Sequence, residues 1–255
     1  MTLRVALQKS LNVPAVKIAE RIGYDRVALF ARRAGLSARM LPYPSLALGA
    51  FEVTPLELTG AYTIFANDGI REEPYAVSEV QASDGEVLKT YGPRAKSVIR
   101  PELAFLMTYL MEGVINNGTG AGVRARGFTL PAAGKTGTSR DGWFAGYTTD
   151  LLAIAWAGYD DNHDIDLEGA RSALPIWTEF MLRASKLYPP RNLDALSFKP
   201  PAGIEFSAVC TGFQEAFILG TTPRFSCGPP PIIPVIHHSV GFLSKLPRFL
   251  FGRKK

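Results

Sequence analysis

Residues 132–143, AAGKTGTSRDGW, gather a lysine, several hydroxyls and three glycines into one short stretch. Gly134-Lys135-Thr136 invites a phosphate-loop reading. Such a loop needs a glycine five residues before its Gly-Lys-Thr, so that successive backbone N–H groups curl round a phosphate. Thr129 holds that position here, and the nearest upstream glycine is Gly127. A phosphate loop also runs from a strand into a helix. Here Ser139-Arg140-Asp141-Gly142 is a turn, followed by the aromatic run Trp143-Phe144-Ala145-Gly146-Tyr147. That pattern reads as strand, tight turn, strand, and the apolar run from Leu151 to Tyr159 reads as a third. Lys135 therefore belongs on a strand of an antiparallel meander, and nucleotide binding is disfavoured.

A strand carrying Lys-Thr-Gly-Thr has chemistry of its own. Lys135 supplies positive charge, and Thr136 and Thr138 supply hydroxyls that can donate to a carboxylate. Gly137 removes a side chain and lets another backbone approach. Together they suit an extended peptide laid along the strand, with a carboxylate gripped nearby and a backbone N–H facing a developing oxyanion. The bland alternative is a solvated hairpin with an ordinary lysine. A second polar stretch, Ser10-Leu11-Asn12, precedes Pro14, which suits the first turn of a helix. Alone it reads as a helix cap or turn.

Taken together, Ser10-Leu11-Asn12 and the distant Lys135-Thr136-Gly137-Thr138 resemble the Ser-x-Asn and Lys-Thr-Gly motifs of the penicillin-binding proteins. The surrounding sequence resembles the transpeptidase domain of the bifunctional, class A members. The likeness runs through ALQKSLNVPAVKIAERIG, LALGAFEVTPLELTGAYTIFANDGI, MEGVINNGTG, PAAGKTGTSRDGWFAGYTTDLLAIAWAGYDDN and SALPIWTEFM, in order, over residues 3–185 and more weakly over 198–228. Gly118-Thr119-Gly120 resembles a family loop near the site, although a helix stop explains it equally well. Gly169 and Ser172 match another family loop only in part.

The resemblance implies a D,D-transpeptidase that crosslinks peptidoglycan through a serine acyl-enzyme. Its partners would be stem peptides ending in D-Ala-D-Ala, and β-lactams. Ser10 would pass protons near the leaving group and Asn12 would bond the substrate amide. Lys135 would bias the site electrostatically, Thr136 and Thr138 would bind the terminal carboxylate, and the Thr138 N–H would complete an oxyanion hole. The family nucleophile lies in Ser-x-x-Lys, with the lysine one helical turn from the serine. No serine of this chain has a lysine three residues on. The resemblance thus implies the C-terminal part of a longer, membrane-anchored, extracytoplasmic protein, with a glycosyltransferase region and the nucleophile lying upstream. The competing readings are a non-catalytic domain that binds stem peptides or β-lactams, and a class A β-lactamase.

The elements that must hold these residues follow from pattern. Helices are predicted near 14–22, with Val16, Ile18, Ala19 and Ile22 as the apolar face, and near 25–34, with Asp25 as cap. Thr54-Pro55-Leu56-Glu57 is a capping box that opens a helix to about Ala66. A hairpin is expected over 75–80 and 86–91, a helix from Pro101 to Asn117, the 132–159 meander, and a helix near 174–186. The fold class is α+β, an antiparallel sheet packed with helices, similar to part of the transpeptidase and serine β-lactamase fold, with a loop-rich C-terminal tail.

The expected division is a partial transpeptidase domain over 1–188, a linker and Cys-containing appendage over 189–228, and a Pro-rich basic tail over 229–255. Cys210 and Cys227, the only cysteines, would form a disulfide outside the cytoplasm; two free thiols is the alternative. From Gly228 onward there are no acids, and Lys245, Arg248, Arg253, Lys254 and Lys255 equal the whole net charge of +5. The rest is balanced, which disfavours a nucleic-acid surface. The tail reads as disordered, with contact to anionic lipid or wall polymer as the alternative. His163 is remote from the His237-His238 pair, so no metal or cofactor is expected.

Overall fold

Helix α4, Pro55–Ala66, shows how directly sequence becomes structure. The Thr54 hydroxyl accepts the Glu57 N–H and the Glu57 carboxylate accepts the Thr54 N–H, a complete capping box with proline in the first turn. The computed structural model describes residues 1–36, 39–190, 196–209 and 214–223. The expected Cys210–Cys227 disulfide, His237-His238 and the basic tail lie outside them.

Three helices open the chain: α1, Leu3–Gln8; α2, Asn12–Ile22; and α3, Tyr24–Arg33. After α4 come two short antiparallel pairs. Strand β1, Ile70–Glu72, pairs with β4, Ala95–Ser97. Strand β2, Glu79–Gln81, pairs with β3, Val87–Thr90, giving the predicted hairpin. Helix α5 runs Pro101–Asn117 with proline in its first turn, followed by the single turn α6, Gly122–Ala125.

The central sheet is β5, Ala133–Thr138; β6, Gly142–Tyr147; and β7, Leu152–Ala157, antiparallel in that order. Lys135 pairs with Ala145, Thr136 with Phe144, and Gly137 with Trp143. Trp143 and Trp156 both donate their indole N–H to the Asp141 carboxylate at 2.8 Å. That acid ties the β5–β6 turn to the end of β7.

The two faces of the sheet bury different sets. Phe144 and Ala155 pack with Trp177, Leu174 and Met181 of α7, Ala173–Leu187. The fully buried Trp177 indole donates to the carbonyls of Gly146 and Ala153. On the other face Ala133 and Tyr147 pack with Met111 of α5, and with Tyr62 and Phe65 of α4. The Tyr147 and Thr108 hydroxyls share a buried 2.8 Å hydrogen bond. A final hairpin, β8 (Ile204–Ala208) and β9 (Gln214–Ile218), packs on α5. An Arg4–Glu215 ion pair and the Arg4 guanidinium over the Tyr109 ring secure it.

Two expectations differ in detail. Asp25 lies inside the first turn of α3, and Gly23 is the cap, because Gly23 takes the positive φ that separates α2 from α3. The apolar stripe of α2 is buried only at Ala19, and Ile22 is 49% exposed. α1, α3 and the 3-10 turn Pro44–Leu48 pack on this helix, leaving Val16 half-buried and Ile18 exposed. Residues Met1–Pro223 cluster as one unit, so the described part of the appendage packs with the body.

Candidate active site

Two backbone features aim the site. The first is the end of α1. Ser10 has φ +53°, a left-handed conformation usually reserved for glycine. Its N–H donates to the Leu7 carbonyl at 3.1 Å, and the Leu11 N–H donates to the Ala6 carbonyl at 2.9 Å. This is the Schellman pattern, with Ser10 in the position just past the helix. So Ser10 closes the preceding helix rather than capping the next, whose cap is Leu11. A non-glycine held there costs about 1–3 kcal/mol, a strain that concentrates at functional sites.

The second feature is β5. Strand alternation puts Lys135 and Gly137 on the face that carries α5, and Thr136 and Thr138 on the other. β5 is hydrogen-bonded to β6 alone among the described strands, so one side is open for another extended chain. The Lys135 ammonium reaches from this strand to the Ser10 hydroxyl at 2.8 Å, across 125 residues of sequence. It also donates to the Thr136 carbonyl at 2.8 Å. Burial lowers the Lys135 pKa from 10.5 to about 8, because desolvation penalises the charged form.

The remaining predicted residues fall around this pair. Thr136 is only 8% exposed, and its hydroxyl lies 2.7 Å from that of Thr119. Thr138 is exposed, and its hydroxyl accepts the Gly169 N–H at 2.9 Å. Gly169 must be a glycine, since a Cβ there would sit 2.0 Å from the Gly137 carbonyl oxygen. Asn12 opens α2 and is exposed, but bonds to none of Ser10, Lys135 or Thr136. Ser10, Lys135 and Thr136 are therefore brought together, with Asn12 and Thr138 flanking them at the surface.

A family model for the penicillin binding protein transpeptidase domain matches residues 1–167. The chain belongs to the penicillin-binding protein transpeptidase family. Relatives agree on that. Penicillin-binding protein 1A of Aquifex aeolicus is 33% identical over 239 residues, covering 89% of this chain and 32% of that protein. Penicillin-binding protein 1B of Escherichia coli is 33% identical, covering 87% of this chain and 27% of that protein. The crystal structure of penicillin-binding protein 1A from Haemophilus influenzae superposes with a TM-score of 0.80 at 29% identity, over 89% of this chain and 41% of that one. This transpeptidase-family chain thus spans about a third of the length of the curated relatives it matches. Its mixed architecture of helices and small antiparallel sheets is that of the penicillin-binding transpeptidase fold.

Two contacts had no decisive sequence signal. Thr119 sits where a helix stop explains Gly118-Thr119-Gly120 equally well, and its hydroxyl meets Thr136 only through the tertiary fold. The Gly169–Thr138 bond joins residues 31 apart, with nothing local to announce it.

Proposed function

We propose that this chain supplies the Ser-x-Asn and Lys-Thr-Gly half of a serine-type D,D-transpeptidase site. Its substrates are peptidoglycan stem peptides ending in D-Ala-D-Ala, and β-lactams occupy the same place. The observation that carries this reading is the 2.8 Å contact between the Lys135 ammonium and the Ser10 hydroxyl, beside the open edge of β5.

A stem peptide bound along β5 would add a short strand, gaining affinity from its backbone. Its terminal carboxylate would sit at the open strand edge, between the Lys135 charge on one face and, on the other, the exposed Thr138 hydroxyl backed by the Thr136 hydroxyl. Asn12 would hydrogen-bond the substrate amide. The Thr138 N–H would complete the oxyanion hole for the tetrahedral intermediate, where a preorganised donor contributes most. Ser10 would relay a proton to the departing D-Ala amine. A lysine with pKa of about 8 suits that task, because it changes protonation near neutral pH. The attacking serine of the acyl-enzyme is not among this chain's residues, since no serine here has a lysine three positions on. Crosslinking takes place where peptidoglycan is, so the working location is extracytoplasmic. Among the described residues no helix is long and apolar enough to cross a membrane.

The test is ligand mapping by amide chemical shift on the isotopically labelled chain. A diacetyl-Lys-D-Ala-D-Ala peptide is expected to perturb Lys135, Thr136, Gly137 and Thr138. The L-Ala-L-Ala peptide should not. Equal responses to the two peptides, or none at millimolar concentration, would remove the reading.

A further inference from the structure

The Ser10 turn and the Lys135 strand are far apart in sequence, so something must fix their spacing. The loop after α5 touches both. The Thr119 N–H donates to the Gln8 carbonyl at 3.0 Å, at the very end of α1. The Thr119 hydroxyl lies 2.7 Å from the Thr136 hydroxyl on β5. The residue beside it allows the approach: a Cβ at Gly118 would come within 2.4 Å of the same Gln8 carbonyl oxygen. The loop is itself anchored, with the Gly118 and Gly120 N–H groups both on the Val114 carbonyl at 3.0 Å. α5 therefore presents Thr119 from a rigid base.

The Thr136 hydroxyl is buried and lies 3.4 Å from the Lys135 ammonium. The ammonium thus donates to two hydroxyls, closely to Ser10 and at long range to Thr136. A buried hydroxyl left without a partner costs free energy. Without Thr119, the ammonium would be the remaining side-chain partner of Thr136, and that long contact would shorten at the expense of the Ser10 contact.

We infer that Thr119 is a positioning residue of this site. Its N–H holds the Ser10 turn and its hydroxyl occupies Thr136, so that Lys135 stays on Ser10. The importance of this for catalysis rests on the proposed transpeptidase reading, but the geometry and its test do not.

The experiment is a mutant cycle on the full chain, read through the Lys135 pKa by carbon NMR of the labelled lysine side chain. Ser10→Ala removes an acceptor from the ammonium and is expected to lower the Lys135 pKa by about half a pH unit or more. In a Thr119→Val background, which keeps shape and the N–H but loses the hydroxyl, Ser10→Ala should leave the Lys135 pKa unchanged. A Thr119→Ser background should restore the full effect. If Thr119→Val does not fold, Thr119→Ala answers the same question. An undiminished Ser10 effect in the Thr119→Val or Thr119→Ala background overturns the inference. So does loss of the effect in Thr119→Ser as well, which would assign the residue a packing role alone. The titration involves no stem peptide, so failure of peptide binding and failure of this inference remain separate results.

Discussion

Substitution at Ser10 separates what its backbone does from what its hydroxyl does. The residue sits at φ +53°, where an L side chain costs about 1–2 kcal/mol and glycine costs nothing sterically. Against this, glycine loses more chain entropy on folding, about 0.5–1 kcal/mol relative to alanine. The difference leaves Ser10→Gly more stable than Ser10→Ala by about 0.5–1 kcal/mol. Both variants lose the 2.8 Å contact to Lys135, an exposed charge-assisted bond of at most about 1 kcal/mol. The expected order of stability therefore has alanine lowest, with glycine and serine within about 1 kcal/mol of each other. In a chain of this size a 1 kcal/mol difference moves Tm by roughly 2–4 °C. Urea unfolding followed by tryptophan fluorescence resolves it. The Lys135 pKa should fall equally in both variants, since both remove the same acceptor. An alanine variant as stable as the glycine variant would refute the left-handed turn. Unequal Lys135 titrations would refute the claim that only the hydroxyl reaches the lysine.

Further expectations concern charge and close packing. Lys135→Met should raise stability at pH 7 by up to about 3 kcal/mol, because a folded pKa of about 8 against 10.5 penalises the charged form. The unfolded chain binds the extra proton between those values, so wild-type stability from this group rises with pH and the advantage of methionine shrinks from pH 8 to 10; paired denaturant titrations at pH 7 and pH 10 check it. Glu112 behaves oppositely: desolvation raises its pKa from 4.5 to about 7, with Arg124 and Arg4 opposing. Its folded form holds the proton longer than the unfolded chain, so stability falls as pH rises from 4.5 through 7. Glu112→Gln should then stabilise at pH 8 and be neutral at pH 4, again by denaturant titration. Gly169→Ala would place a methyl 2.0 Å from the Gly137 carbonyl oxygen and 2.7 Å from that of Trp143. It should cost about 1–3 kcal/mol and shift the β5 amide resonances.

Sequence reasoning worked where the deciding forces are local. The Thr54–Glu57 box, Pro101 at the start of α5, and the Asp-Gly turn after Lys135 each carry their own geometry, and the elements follow. The Lys135 strand was legible because turn chemistry and aromatic alternation agree on it. Ser10 was readable as a turn residue, but not as the left-handed end of α1. Leu3–Gln8 is only six residues long, too short for periodicity to reveal. The faces of α2 misled for another reason: an apolar stripe says that a partner is wanted and not which element provides it. Site contacts such as Thr119–Thr136 and Gly169–Thr138 depend on how distant elements stack, which no window of sequence contains.

β7 is the other edge strand of the described central sheet. β7 is hydrogen-bonded only to β6 among the described strands, and its six residues, Leu-Ala-Ile-Ala-Trp-Ala, carry no charge. It lacks the lysines, prolines and bulges by which edge strands avoid one another. In solution this makes colloidal behaviour a matter of concentration. If two copies paired along β7, self-association would grow with protein concentration and resist added salt, since no ion pair would drive it. Sedimentation velocity at two protein concentrations and two ionic strengths is the direct check.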